Sequence, residues 1–411
     1  MSAASGTTET APLLEFMLQL GKAYLACGEQ TALVESYLRR VAATRGLRRP
    51  RVVVFPTAVY IAVQDDAGEH VTLSEGATQR LRLDQIAAIY ELGAEAQRGG
   101  VSPRDGLERL ERIARMPPRF GTAGVLLGHT VLTVGLAMVL LPTPANVLAA
   151  AALGLIVGLV KIANRDQPIL SAPLSVVAAT VVAALVLIAH GRGAPIDPIY
   201  AVVPPLVTFL PGAMLAFSLV ELAYGDMVAG SARLITGIVQ LVLLAFGLTV
   251  GALLVGMRPD SVLDGYRVVE APLWASLVGV TIFGLGIFIH NSAPAGSLPW
   301  ILLVLFAAFG GQQLAARTIG VEVGGFFGML LATPLGNVIQ NRFRGPPAMV
   351  TFLPAFWLLV PGALGLIGVK SLLSERAAID GLVTIVFSFA SIALGALVGE
   401  SLYKWISRRL D

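Results

Sequence analysis

Pro204-Pro-Leu-Val-Thr208-Phe-Leu-Pro211-Gly212-Ala213 and Pro354-Ala-Phe-Trp-Leu-Leu-Val-Pro361-Gly362-Ala363 lie 150 residues apart, each inside a long apolar run. Proline removes a backbone donor and its ring clashes with the preceding turn, so a proline followed seven residues later by Pro-Gly leaves carbonyls and amides unpaired at membrane depth. Such interruptions are tolerated where they line something polar. Paired interruptions at corresponding places in two halves of a membrane protein point to the substrate site of a secondary transporter. The competing reading is two independent kinks, because Pro and Gly are common in membrane helices. A second register is also open, since Thr208-Phe-Leu-Pro211 matches Thr351-Phe-Leu-Pro354.

The composition around these runs sets the class. With 55% hydrophobic residues, 13% charged and a mean hydropathy of +0.77, the chain departs from soluble proteins, which are about a quarter charged. Residues 1–120 hold 15 of the 29 Lys+Arg and 14 of the 26 Asp+Glu, so a polar domain precedes a membrane domain. The net charge of +3 comes largely from arginines near span ends and indicates no nucleic-acid partner. Cys27 is the only cysteine and excludes an internal disulfide. Met1 to Pro12 is polar and lacks the form of a signal peptide.

Charge-free intervals of about 20 residues count the spans. Residues 120–160 hold two, divided at Pro142-Thr-Pro144, and single spans follow at 166–192, 197–221 and 233–258. The interval 270–317 holds two more, and three follow at about 319–340, 346–369 and 379–401. The expected fold is therefore mainly α: ten transmembrane helices as a 5+5 inverted repeat, with an N-terminal α+β cytoplasmic domain. An odd number of spans per half forces the inversion, because the second half enters from the opposite side. The expected boundaries are a disordered 1–10, a cytoplasmic domain at 11–118, and membrane modules at 119–257 and 271–405. With the N-terminus inside, inner loops and tail carry eight Lys+Arg against six outside, which puts both termini in the cytoplasm.

In the polar domain, apolar stripes at Leu13–Leu25 and Leu33–Val41 predict two helices. Val52–Val63 reads as β, with Pro56 marking an edge strand or a bulge, and a turn at Asp65–Gly68 leads to a shorter strand near 71–73. A helix is expected at 84–97 with Asp84 at its N-cap. Ser102-Pro103-Arg104-Asp105 spells another helix start, and Pro117-Pro118 its end. No nucleophile elbow, phosphate loop or metal-ligand spacing is present, so neither an enzyme nor a cofactor is expected. The four histidines, His70, His129, His190 and His290, are scattered along the chain and form no ligand cluster in sequence.

Ala26-Cys-Gly28-Glu29-Gln-Thr-Ala-Leu-Val-Glu35, with Val52-Val-Val-Phe-Pro-Thr57 downstream, resembles the N-terminal domain of the threonine/serine exporter family. Leu210-Pro211-Gly212 and Glu221-Leu-Ala-Tyr-Gly225-Asp226-Met-Val-Ala-Gly230-Ser-Ala-Arg233 resemble that family's fourth span and following loop, and Leu359-Val-Pro361-Gly362 its second module. The resemblance runs from about residue 11 to 405 and rests on the order of short motifs. It implies a ten-span protein of the cell membrane that exports small hydrophilic amino acids, driven by the membrane potential or a proton gradient. Exporters of other small metabolites such as dicarboxylates fall in the wider family, and a channel or membrane sensor is the alternative class. The implied partners are an amino-acid substrate and membrane lipid, and a homo-oligomer is compatible with both.

A zwitterionic amino acid needs donors for its carboxylate and acceptors for its ammonium group. Half-helix N-termini after Pro211-Gly212 and Pro361-Gly362 supply donors, and carbonyls freed by Pro204, Pro211, Pro354 and Pro361 supply acceptors. Thr208 and Thr351 are candidates for contact with a hydroxyl side chain, although Thr in membrane helices commonly bonds its own backbone. The substrate-site candidates are thus Pro204, Thr208, Pro211, Gly212, Thr351, Pro354, Pro361 and Gly362. Glu221 and Asp226 are the candidates for coupling, with Arg233 placed to neutralise one of them. Lys161 and Glu400 read as interfacial anchors.

Overall fold

The computed structural model describes residues 7–65, 68–75, 81–164, 171–257, 271–359 and 378–410. Two compact units are present: Met1–Pro117 with Phe217–Arg233, and Pro118–Ala216 with Leu234–Asp411.

In the first unit, α1 (Thr7–Ala26) and α2 (Thr31–Thr44) precede a sheet of β1 (Arg48–Phe55), β2 (Ala58–Asp65) and β3 (Gly68–Glu75), followed by α3 (Leu83–Gln97) and α4 (Pro103–Ala114). The sheet is antiparallel in the order β1-β2-β3, and Phe55 pairs with Ala58. Pro56 therefore sits in a two-residue turn at the end of the edge strand β1, where its missing N–H costs no ladder bond, and no bulge is needed to explain it. β3 runs for eight residues, longer than its sequence suggests, because it pairs with β2 along its whole length. Val52, Val54, Val59, Ile61 and Val63 are buried on one face of the sheet, and Phe16, Met17, Leu20, Tyr24 and Leu38 of α1 and α2 are buried as well, with Gly21 close to both Leu38 and Val59. α3 begins at Leu83 with Arg82 at its N-cap, so Asp84 is a first-turn acid. α4 starts as spelled, the Ser102 side chain accepting from the Asp105 amide at 3.1 Å.

The second unit is helical. α5 (Gly121–Leu140), α6 (Pro144–Ala163), α7 (Ser171–Gly191), α8 (Pro198–Leu206), α9 (Gly212–Ala223) and α10 (Met227–Leu254) precede α11 (Leu273–His290), α12 (Leu298–Thr318), α13 (Gly324–Arg342), α14 (Ala348–Leu359) and α15 (Ala378–Leu410). The last turns of α9 and the first of α10 belong to the first unit. Seven helices are long and apolar enough to cross a membrane, and eight if the bent pair Pro198–Phe209 with Gly212–Ala223 is one span. The expected ten is thus not reached among the described residues: α14 is an apolar helix of 12 residues, and description resumes at α15.

Small residues decide which helices touch. A methyl group added at Gly135 would lie 2.2 Å from the Phe283 amide nitrogen, and one at Gly286 would lie 2.2 Å from that of Leu132. α5 and α11 therefore cross backbone to backbone, the close approach that drives helix association in lipid. Gly247 and Gly251 of α10 bring it against the Val176 and Thr180 carbonyls of α7. On α15, a methyl group at Gly395 would lie 2.2 Å from the Phe326 carbonyl oxygen of α13, and one at Gly399 would meet the Pro334 and Thr333 side chains at 3.0 and 3.1 Å and the Leu330 carbonyl at 3.3 Å. These two Gly-x3-Gly pairs stand 148 residues apart.

Candidate functional site

Two polar clusters carry the residues singled out in the sequence. The first lies in the first unit, where two helix ends of the same construction meet. α1 ends at Gly28, φ +85°, with Gly28 N–H bonded to the Leu25 carbonyl at 2.9 Å and Glu29 N–H to that of Tyr24 at 3.1 Å. α9 ends at Gly225, φ +83°, with Gly225 N–H bonded to the Leu222 carbonyl at 3.1 Å and Asp226 N–H to that of Glu221 at 2.9 Å. Both are left-handed glycine caps that fold the following acid back over the last turn. That reversal is why Asp226, five residues from Glu221 in sequence, stands beside it.

The N-terminus of α2 meets these acids. Gln30, its N-cap, makes no side-chain capping bond. The orphan amide of Thr31 donates instead to Glu221 Oε1 at 3.1 Å, a cap supplied from 190 residues away that also suits the positive end of the helix dipole. The Thr31 hydroxyl lies between Glu221 Oε1 and Asp226 Oδ2 and donates to the latter. Arg233 completes the cluster. Its Nε stands 3.2 Å from Glu221 Oε2, an ion pair not aligned as a hydrogen bond, while its terminal nitrogens donate to the carbonyls of Gly28 and Glu29. Glu221 is 2% exposed, so this pair is held away from water. Glu29 accepts from the Tyr90 hydroxyl and from the Gln30 amide at 2.9 Å. Burial and the Glu29 charge push the Tyr90 phenol and the Cys27 thiol well above their ordinary ranges.

The second cluster surrounds the break. Asp197 caps α8, accepting from the Ile199 amide at 3.1 Å and the Tyr200 amide at 3.4 Å, and its own N–H donates to Asn146 Oδ1 at 3.0 Å. All nine residues of α8 are buried, and the helix passes through Pro204 and Pro205 without opening. Packing against α5, α6 and α7 holds it there against a penalty of about 3 kcal/mol for an interior proline. The opening lies further on. Val207–Phe209 form a 3-10 turn, and α9 starts at Gly212 after a bend of 63°, its first helical bond running from the Leu215 amide to the Pro211 carbonyl at 2.9 Å.

Thr208 in this turn is buried, and its hydroxyl accepts from the Lys161 ammonium, which also lies 4.9 Å from the centre of the Phe209 ring. Gln240 of α10 donates to the Phe209 carbonyl at 2.9 Å. His129 and His290, far apart in sequence, lie ring to ring at 5.1 Å. In the later half, Pro354 is inside an unbroken α14, as Pro204 is inside α8. Thr351 donates to the Ala348 carbonyl of its own helix at 3.0 Å, and Gln312 of α12 donates to the Leu359 carbonyl at 3.2 Å. Pro361 and Gly362 lie outside the described residues. Asn337 donates to Glu400 at 2.6 Å, and Gln340 accepts from the Ala348 amide at 2.7 Å, so both serve helix packing and capping.

The sequence-predicted residues thus fall into separate places. Glu221, Asp226 and Arg233 are brought together, and Pro204, Thr208, Pro211 and Gly212 share one break. Thr31, Glu29 and Lys161 were missed as participants. The Gly-acid spelling of Gly28-Glu29 and Gly225-Asp226 is the signal that would have found the first two, whereas no local pattern aims Lys161 at Thr208. Among the described residues no group of three or more His, Cys, Asp or Glu is arranged to hold a metal.

Comparison with known proteins supplies the lineage. Relatives include an uncharacterized protein of Schizosaccharomyces pombe, 23% identical over 362 residues, covering 85% of this chain and 43% of that protein. Pheromone-regulated membrane protein 10 of Eremothecium gossypii is 27% identical over 185 residues, 44% of this chain and 24% of the relative. The Candida albicans protein of the same name is 26% identical over 167 residues, 39% and 15% of the two chains. The chain thus spans less than half the length of these curated relatives. No solved structure matches it. The family model of threonine/serine exporters (ThrE) matches residues 15–255 of the 411, across the first polar cluster and the break, and the chain belongs to that family of membrane transporters.

Proposed function

We propose that the protein is a secondary transporter that exports small hydrophilic amino acids of the threonine/serine type across the cytoplasmic membrane by alternating access. The observation that carries this reading is the break at Val207–Pro211: a 63° bend inside an apolar bundle, faced by Lys161, Thr208 and Gln240. Backbone that leaves a helix at membrane depth needs polar company, and a solute passing through can share it. Family membership supports the class.

The proposed architecture is ten spans in two inverted halves, α14 contributing to the ninth and α15 forming the tenth, with both termini and residues 11–118 in the cytoplasm. The repeated Gly-x3-Gly packing and the α5–α11 crossing support the pairing of halves. The substrate site is proposed at the first break, with Pro204, Thr208, Pro211 and Gly212, completed by Thr351, Pro354, Pro361 and Gly362. Glu221, Asp226 and Arg233 are proposed as the coupling element: a proton on Glu221 would weaken both its pair with Arg233 and its cap on α2.

Export from cells preloaded with labelled threonine, serine and succinate, with and without an uncoupler, tests the function. Efflux of threonine or serine that collapses with the uncoupler is expected, and uncoupler-independent efflux of every solute would point to a channel. Glu221→Gln should flatten the pH dependence of driven export while leaving the protein in the membrane. An unchanged pH profile would reduce the cluster to a structural clasp.

A further inference from the structure

We propose that Lys161 is the carboxylate anchor of the transported solute, in a pocket completed by Thr208, Phe209 and His129. This rests on the reading of the break as the solute site and names the group that reads the solute's charge. A lysine in the last turn of a span ordinarily snorkels to the headgroups. Lys161 does otherwise. Its Cα–Cβ bond, like every one in a helix, tilts toward the N-terminus and so back into the span, and its ammonium is on the Thr208 hydroxyl and over the Phe209 ring. A cation turned inward at a helix break is a functional group by default.

His129 is an independent sign that the pocket expects a ligand. It is 0% exposed, and neither ring nitrogen has a partner in full hydrogen-bond geometry, although the Pro205 carbonyl interacts with the ring. Buried polar atoms in that condition call for an acceptor or donor brought from outside. The charge of Lys161 reaches both His129 and His290, so the three share one environment. The N-terminus of α9, opening at Gly212 just past Thr208 and Phe209, adds the positive end of a helix dipole to the same anion. In the second half, Gln312 stands 151 residues after Lys161 and reaches the Leu359 carbonyl with a neutral amide. Of these two residues only Lys161 carries a charge, so the solute's carboxylate is assigned to its side. Amino acids and dicarboxylates share that group.

The test uses the purified full-length protein, with binding by calorimetry and the thermal transition recorded alongside, for L-threonine, L-serine, succinate and L-threoninol, which lacks the carboxylate. Wild-type protein should bind at least one carboxylate ligand tenfold or more tighter than threoninol. Threonine and serine as the tight ligands mark an amino-acid site, and succinate marks a dicarboxylate site. Lys161→Met should erase the preference, and Lys161→Arg should retain most of it. If Lys161→Met does not fold, Thr208→Val is read instead and should weaken carboxylate binding severalfold with threoninol unchanged. Wild-type protein without a carboxylate preference overturns the proposal, as does carboxylate affinity unchanged in the folded Lys161→Met protein, or in Thr208→Val where that variant is read. The exporter reading fails separately, if wild-type proteoliposomes move none of the solutes that the protein binds.

Discussion

Two helix pairs, α10 on α7 and α15 on α13, are alike in how they pack, while the polar contacts at the ends of the proline-bearing helices α8 and α14 differ in charge. Gly247/Gly251 of α10 and Gly395/Gly399 of α15 use the same small-residue spacing to bring a long helix onto its neighbour, α7 and α13 respectively. Lys161 and Gln312, standing at corresponding places, both reach toward the end of the proline-bearing helix, one with a cation and the other with an amide. Thr208 accepts from another helix, while Thr351 is satisfied by its own. The difference teaches that helix packing is kept in both pairs because it holds the scaffold. At the proposed solute site one charge would suffice, since a small solute presents its carboxylate to one side.

The largest expected effect tests the likeness. Gly247→Leu and Gly395→Leu each force a side chain against a backbone carbonyl, since a Cβ alone would lie 2.5 Å from the Val176 oxygen and 2.2 Å from that of Phe326, and each should destabilise the protein by about 3 kcal/mol or more, at the upper end of overpacking costs. Thermal unfolding of the two purified variants should show similar losses. A large loss in one and none in the other would break the likeness of the two pairs.

The next prediction tests the difference. Lys161→Met should lower export of the carboxylate solute by tenfold or more, whereas Gln312→Met should lower it only a few-fold, because a neutral amide to a carbonyl is worth about 1 kcal/mol. Equal losses would mean that charge is not what separates the two contacts. A smaller contrast follows in the threonines: Thr208→Val should reduce export several-fold, and Thr351→Val, which removes a bond internal to α14, should leave it within about twofold.

Cys27 provides a check that such losses are local. Its buried thiol is held well above the usual range, so at pH 7 to 8 it carries very little thiolate, the form that reacts. Alkylation should be slow in wild type and in all four transport variants, and should accelerate only when denaturant opens the first unit. Fast labelling of a variant under native conditions would assign its loss of export to unfolding.

Much of this was legible in residues. The Ser102-Pro103 helix start, the split at Pro142–Pro144 and the long charge-free runs follow from local chemistry, since capping, proline geometry and hydrophobic length act over a few residues. The site was legible in part. Gly28-Glu29 and Gly225-Asp226 are readable as helix ends, but their convergence through Thr31 and Arg233 depends on parts of the chain some 190 residues apart. Pro56 does mark the end of an edge strand, β1, but as a turn and not a bulge; the two share one spelling, and only the pairing of Phe55 with Ala58 separates them.

By itself, the sequence determined a membrane protein with a polar N-terminal domain, proline-marked apolar segments and an acid pair near Arg233. Composition, span length and proline placement are properties of short segments, so no neighbour is needed to read them. Tertiary structure decided that Pro204 stays inside its helix while the chain opens at Val207–Pro211, that Glu221 caps α2, and that Lys161 turns inward to Thr208. A helix bends where packing allows its backbone groups to find other partners, and a charged side chain points toward whatever the neighbouring helices present. Both are set by contacts between segments that no local pattern encodes.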